Sequence, residues 1–194
     1  MFDLDRFVED CRSALRADGP RAVREVVARA VAEPGSVIAR LGEPRRGGLE
    51  KLHVSEDLTV LNVIWPAWMT LLPHDHRMWA VIGIYTGRED NVFWRRVAGD
   101  PTGRVEAAGA RALSVKEALP LGRDVIHSVT NPILRFTGAI HVYGGDFFAM
   151  PRSNWDPETL VERPYDVQTV LRIFEEADRR SSAPAASAVE RQSG

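Results

Sequence analysis

LLPHDHRMWAVIGIYTGRE, residues 71 to 89, sets two histidines around one aspartate and follows them with an apolar run that closes in Tyr-Thr-Gly. The run reads as a strand and Thr86-Gly87 as the turn that ends it. On an extended segment residues i and i+2 share a face. His74 and His76 therefore project the same way, close enough for two imidazoles to meet one metal ion. Asp75 falls on the opposite face. The same parity puts Met78 and Ala80 inside and Trp79 outside. The chain has only five histidines, and two of them stand here.

Outward from this stretch, residues 49 to 143 alternate short apolar runs with turn signals. The runs are 49–54, 58–65, 68–72, 79–85, 91–97, 104–113, 123–129 and 133–143. Pro66, Gly99-Asp100-Pro101, Pro120-Leu121-Gly122 and Asn131-Pro132 are among the breaks. Strands at this spacing without long helices between them predict a mainly β chain, an antiparallel sandwich or barrel. Residues 3 to 41 read as helical. Phe2, Phe7, Cys11 and Leu15, then Val23, Val26, Val27 and Ala30, recur near a 3.6-residue period. Gly19-Pro20 separates the two segments and Pro34-Gly35 ends the second. Residues 157 to 180 read as a further helix, with Asp156 as its cap, Pro157 in its first turn, and Val167, Val170, Leu171 and Phe174 as its apolar stripe. The expected organisation is one domain over 1–180: helices in 1–41, a barrel in 45–150 and a helix in 157–180. Residues 181–194, small and polar, are expected to be a disordered tail.

Composition narrows the function classes. The 194 residues carry a net charge of -2, which leaves no basic footprint for nucleic acid. The single cysteine, Cys11, excludes an intrachain disulfide and fits a reducing compartment. The acidic start MFDLDRFVED does not read as a secretory signal. The most apolar stretch, 58 to 73, is interrupted by Asn62 and Pro66 and is too short to cross a bilayer. A soluble, cytoplasmic protein with no nucleic-acid or membrane partner is expected. Oligomeric state is not readable.

A second block, PLGRDVIHSVTN, residues 120 to 131, holds a Pro-x-Gly turn, a third histidine at 127 and Asn131 before Pro132. The two blocks together resemble the two motifs of the cupin superfamily. His74, His76 and Gly87 fit the first motif, and Pro120, Gly122, His127 and Asn131 the second. The Glu slot of the first motif falls on Ala80, or on Val81 with looser spacing. The resemblance implies a double-stranded β-helix barrel with N-terminal helices and a C-terminal helix, and an extra hairpin near 95 to 113. It also implies a metal held by His74, His76 and His127. With no carboxylate ligand, a divalent ion would keep its full charge and favour anionic donors such as a thiolate. Imidazole ligands suit Fe, Zn, Cu and Ni alike.

Further on, TGAIHVYGGDFFAMPRSNWDP, residues 137 to 157, puts His141 and Tyr143 on one strand face. This looks like the thiol dioxygenase family, the cysteine dioxygenase group within the cupins. There a Ser-x-His-x-Tyr triad follows the third ligand by about fourteen residues, and His127 to His141 is that step. His141 and Tyr143 match the His and Tyr; the Ser position is Ala139. Arg152 lies where the mercaptopropionate branch carries its carboxylate-binding Arg. The cysteine branch has a Cys that crosslinks to the Tyr, and that position is Val81 here. The resemblance implies Fe(II), with Ni, Mn or Zn as alternatives, and a small thiol carboxylate oxidised with O2 to its sulfinate. Arg152 would hold the carboxylate, as bidentate chemistry favours. Tyr143, oriented by His141, would hydrogen-bond on the oxygen side. The alternatives are the same metal cage acting on another small acid, and a small-molecule-binding cupin without catalysis. Trp65, Trp68, Trp79 and Trp94 read as packing residues on strands, and His53 as structural.

Overall fold

Two antiparallel sheets enclose the barrel in this computed structural model, which describes residues 1–182. The elements run α1 (Leu4–Val31), α2 (Pro34–Leu41), β1 (Gly48–Val54), β2 (Thr59–Trp65), β3 (Thr70–Asp75), β4 (Ala80–Thr86) and β5 (Arg88–Arg96). Then follow β6 (Val105–Ser114), β7 (Ala118–Leu121), β8 (Ile126–Thr130), β9 (Thr137–Tyr143), β10 (Ser153–Trp155), β11 (Glu162–Pro164) and α3 (Val167–Ser182). One sheet has the order β1-β2-β9-β4-β7 and the other β11-β10-β3-β8-β5-β6. This is the cupin double-stranded β-helix barrel. The extra hairpin is β5–β6, paired from Arg88↔Ser114 to Arg96↔Val105. Of the expected tail, residues 183–194 lie outside the described residues, and Ser181 and Ser182 close α3.

The five-stranded sheet is covered on both faces. Inside the barrel, Leu61, Val63, Trp65, Ala80, Ile82, Ile84 and Ala139 pack with Leu71 and Val129 of the facing sheet. Outside, Val60, Val81, Ile140 and Val142 pack against Val23, Val26, Val27 and Val31 of α1 and Val37 of α2. A sheet with two covered faces needs apolar residues at both parities, so β2, β4 and β9 read as nearly unbroken hydrophobic runs. Helix α1 sits close because Gly83 has no side chain: a Cβ there would lie 2.4 Å from Val27 Cγ1. Cys11 is buried in this outer core, away from Tyr143 in the barrel core, so the two are not crosslinked. Within α1, Asp18 and Gly19 leave helical geometry and Pro20 restarts it, as expected from Gly19-Pro20. Pro34 opens α2 at a first-turn position instead of ending the helical region.

The hairpin turn at Gly87 needs glycine. Its φ is +81°, and a Cβ would lie 2.2 Å from Thr137 Oγ1. That hydroxyl accepts from Arg88 N and donates to Arg88 O, which ties the turn to the start of β9. Asn131 ties a second turn: its Nδ2 donates to the carbonyls of Trp65, Pro66 and Arg135.

Three strands escaped the sequence reading. Pro120 lies within β7, which is tolerable because β7 is a sheet edge. Strands β10 and β11 are three residues each and carry no apolar run. Residues 157 to 166 are not helical. Asp156 Oδ1 does accept from Glu158 N and Thr159 N, as a cap would, but the chain turns at Leu160 and enters β11. The same side-chain chemistry serves an isolated turn and a helix start. Asp166 caps α3 instead, accepting from Gln168 N at 2.9 Å. The buried stripe of α3 is Val170, Phe174 and Ala177, while Val167 and Leu171 are exposed. Trp68 is likewise not a packing residue: it sits in a turn with φ 59° and is 58% exposed.

Candidate metal centre

His74 stands on β3 and His127 directly opposite on β8. His76 follows just past the end of β3. All three are buried, and one nitrogen from each lies within 4.8 Å of the others. His76 Nε2 is 3.4 Å from His127 Nε2. That is about the edge of a coordination polyhedron with bonds of ~2.1 Å. Backbone and side-chain partners orient two of the rings. His74 Nδ1 donates to the Leu72 carbonyl at 3.0 Å, and His127 Nδ1 donates to Asn91 Oδ1 at 2.7 Å. Both leave Nε2 for the shared point. Burial depresses the basicity of each ring: His74 falls to about 4, and His76 and His127 fall well below the ordinary histidine range. Neutral imidazoles with converging lone pairs in a buried, largely apolar cavity are the donor set a transition metal takes. This is a three-histidine metal-binding site, and its residues fit a divalent ion.

Asp75 faces away, as its parity requires. Its Oδ1 accepts from Ser153 N at 2.8 Å and its Oδ2 from Arg77 Nε at 2.5 Å. Arg77 and Arg96 both reach Glu162, which also accepts from Ser153 Oγ at 2.6 Å. This cluster braces the ligand strand from outside through β10 and β11. The Arg96 guanidinium, against the opposing effect of burial, holds the Glu162 carboxyl down to about 2. A carboxyl depressed in the folded state contributes stability that is full above its ordinary value and is lost as pH falls toward the folded one. Between about pH 4.5 and 2 the protein should therefore lose roughly 1 kcal/mol from this group, after allowance for solvent screening. Urea unfolding across that window should show the loss in the natural chain and a flatter profile in Glu162→Gln.

His141 and Tyr143 come together at the cavity wall. His141 Nδ1 is 2.9 Å from the Tyr143 hydroxyl, and the Tyr143 ring lies 5.0 Å from that of His76. Burial pushes the Tyr143 phenol up, so it stays protonated. Ala139 and Ala80, the positions of the missing Ser and of one Glu slot, are buried on strands that line the barrel; Val81, the other Glu slot, packs in the outer core.

The sequence reading missed Glu89. It is fully buried on β5, on the same face as Asn91 and Phe93. Its Oε2 accepts from Trp65 Nε1 at 2.8 Å and its Oε1 from Asn91 Nδ2 at 3.0 Å. Oε2 also lies 3.7 Å from His141 Nε2, which has no hydrogen-bond partner among the described residues. A carboxylate repels a bare lone pair, so His141 presents N–H to Glu89 and its Nδ1 accepts from the Tyr143 hydroxyl. The signal was a pair of polar residues, Glu89 and Asn91, at inward parity with Phe93.

Arg152 is placed beside the cavity without lining it. Its guanidinium lies between the rings of Phe147 and Tyr165, at 3.8 and 4.1 Å from their centroids, and donates to the Phe147 carbonyl. Its Nε is buried without a partner among the described residues. The cavity itself measures about 20 Å³ and is lined by the three histidines, Tyr143, His141 and apolar side chains that include Val63, Leu71, Phe147 and Phe174. His53 takes no part: it faces Arg12 and Ser55 on the surface side of β1.

No protein-family model matches the sequence. Among solved structures, the chain is similar to an RmlC-like cupin family protein with a double-stranded β-helix fold from Methanocaldococcus jannaschii (TM-score 0.44, 12% identity, 54% of this chain and 84% of that one). It is similar to DMSP lyase DddQ from Ruegeria pomeroyi (TM-score 0.44, 18% identity, 58% and 53%). It is also similar to Bacillus subtilis oxalate decarboxylase, a protein with Mn(II) centres (TM-score 0.38, 14% identity, 47% and 22%). The match spans under a quarter of the oxalate decarboxylase chain. Among the described residues no helix is long and apolar enough to cross a membrane. What defines the architecture is the chain's own strand order, that of a cupin barrel with three histidines converging inside it.

Proposed function

We propose that the protein is a metal-dependent oxidoreductase, a non-haem iron dioxygenase that converts a small thiol carboxylate to its sulfinate. The reaction balances as RSH + O2 → RSO2H: sulfur loses four electrons, and both oxygen atoms end on it. The observation that supports this best is one buried cavity holding three imidazole donors and a protonated phenol, with no carboxylate ligand among the described residues. When bound, Fe(II) supplies open coordination positions and the redox chemistry. His74, His76 and His127 would hold it. Tyr143 turns its oxygen toward the cavity while its proton is committed to His141, and Glu89 stands behind to balance charge on that ring. Val63, Leu71, Val129 and Phe174 exclude water.

Arg152 anchors the substrate carboxylate in this reading. The cavity has room for little more than one water, so a thiol acid would enter by parting Phe147 from Tyr165, which exposes the guanidinium. The test is O2 uptake by the Fe(II)-reconstituted protein with 3-mercaptopropionate, cysteine and cysteamine. The acids should be turned over and cysteamine should not. Arg152→Ala should raise KM for the acids by about 10- to 100-fold, the worth of a charged hydrogen-bond pair. No uptake with any thiol at full iron occupancy contradicts the reading. Equal turnover of all three thiols contradicts the role of Arg152.

A second reading is favoured by Ala139 together with the alignment of Tyr143, His141 and Glu89 as hydroxyl, imidazole and carboxylate. The same centre would then act on another small acid, with Tyr143 moving a proton. Turnover of such an acid without O2 consumption would select it.

A further inference from the structure

We propose that Glu89 sets the hydrogen-bond polarity of the metal centre: acting through Asn91, it fixes which nitrogen of His127 carries the proton. The inference rests on the three-histidine reading of the site. It makes Glu89 a positioning residue two hydrogen bonds away from the metal.

The argument follows from what each group can do. An ionised carboxylate only accepts hydrogen bonds. Trp65 Nε1–H, which can only donate, occupies Glu89 Oε2 at 2.8 Å. The other oxygen, Oε1, lies 3.0 Å from the Asn91 amide and must meet its NH2 end. The amide is thereby locked with Oδ1 toward His127 Nδ1, 2.7 Å away. An amide oxygen only accepts, so His127 must carry its proton on Nδ1. Its Nε2 is left as a bare lone pair facing His76 and His74. Every member of this chain is buried, with Glu89 and Asn91 fully so and His127 nearly so. At this depth an error at any step leaves an unsatisfied polar group in the core.

Glu89→Gln tests the chain because it is close in shape but has one acceptor and one donor. Trp65 claims the acceptor. The new NH2 then faces Asn91, which must turn its oxygen toward it. Its own NH2 then faces His127 Nδ1 and drives the ring proton to Nε2, the metal side. Two readouts follow. Anaerobic Fe(II) binding, measured by competition with a chromophoric chelator, should weaken by about 10- to 100-fold, the range for groups behind a ligand. Ring-nitrogen NMR of the metal-free protein should show His127 protonated at Nδ1 in the natural chain and at Nε2 in Glu89→Gln. Asn91→Ala should weaken Fe(II) binding similarly, and adding Glu89→Gln to it should change affinity no further, within about twofold.

Natural protein with His127 protonated at Nε2 overturns the proposal, whether or not the variants fold. Glu89→Gln that binds Fe(II) as the natural chain does, with Nδ1 still protonated, also overturns it. So does a double variant weaker than Asn91→Ala by the full Glu89→Gln factor. Natural protein that binds no Fe(II) while His127 keeps its Nδ1 proton supports the relay and contradicts the metal reading instead.

Discussion

His76→Ala is expected to abolish stoichiometric binding of a divalent metal. His74 and His127 are paired across β3 and β8 and are each held by a second hydrogen bond. His76 is the third donor, just past the strand, packed between the rings of His127 and Tyr143. Two imidazoles alone do not close a site, so the loss should exceed the 10- to 100-fold that a group behind a ligand costs. Thermal stability offers an independent readout. A metal at 100 times its Kd stabilises the natural chain by about 2.7 kcal/mol through mass action. The variant should gain nothing from the same metal. A variant that is still stabilised by metal at the same concentration would remove His76 from the ligand set.

The second large effect is on α3. Phe174→Ala should cost about 3–5 kcal/mol, the range for deleting a buried aromatic ring. Phe174 is buried, stacks on Trp65 with centroids 5.4 Å apart, and forms part of the cavity lining. Trp65 is the donor to Glu89, so the loss should reach the metal centre as well as the fold. Leu171→Ala, one turn away on the exposed face, should change stability by less than about 0.5 kcal/mol. Urea unfolding of the two variants checks both. Equal effects would mean that α3 does not close the barrel through the Phe174 face.

The histidine pair was legible because strand parity is a local rule: His74 and His76 had to share a face, and Asp75 had to leave it. That His127 joins them came from the resemblance of residues 120 to 131 to a second motif and not from local parity; the β3–β8 register, which pairs residues 53 positions apart, sets it opposite His74. Four of the five strands of the five-stranded sheet were legible, β7 being the exception, but the two covered faces of the sheet were not. Val60, Val81 and Val142 look like ordinary strand residues until α1 is placed over them. Glu89 and Asn91 were hidden by the usual rule that polar residues beside a turn face water. In β5 they face inward because Trp65 and His127 satisfy them there. Asp156 misled because a side chain that caps two backbone N–H groups can open a turn as well as a helix, and only the path after Leu160 separates the two.

The most direct test of the metal centre is anomalous diffraction from a crystal loaded anaerobically with Fe(II). A single iron peak about 2.0–2.2 Å from the Nε2 atoms of His74, His76 and His127 is the expected result. Full iron loading with the peak elsewhere, or with His127 turned away from it, would contradict the account.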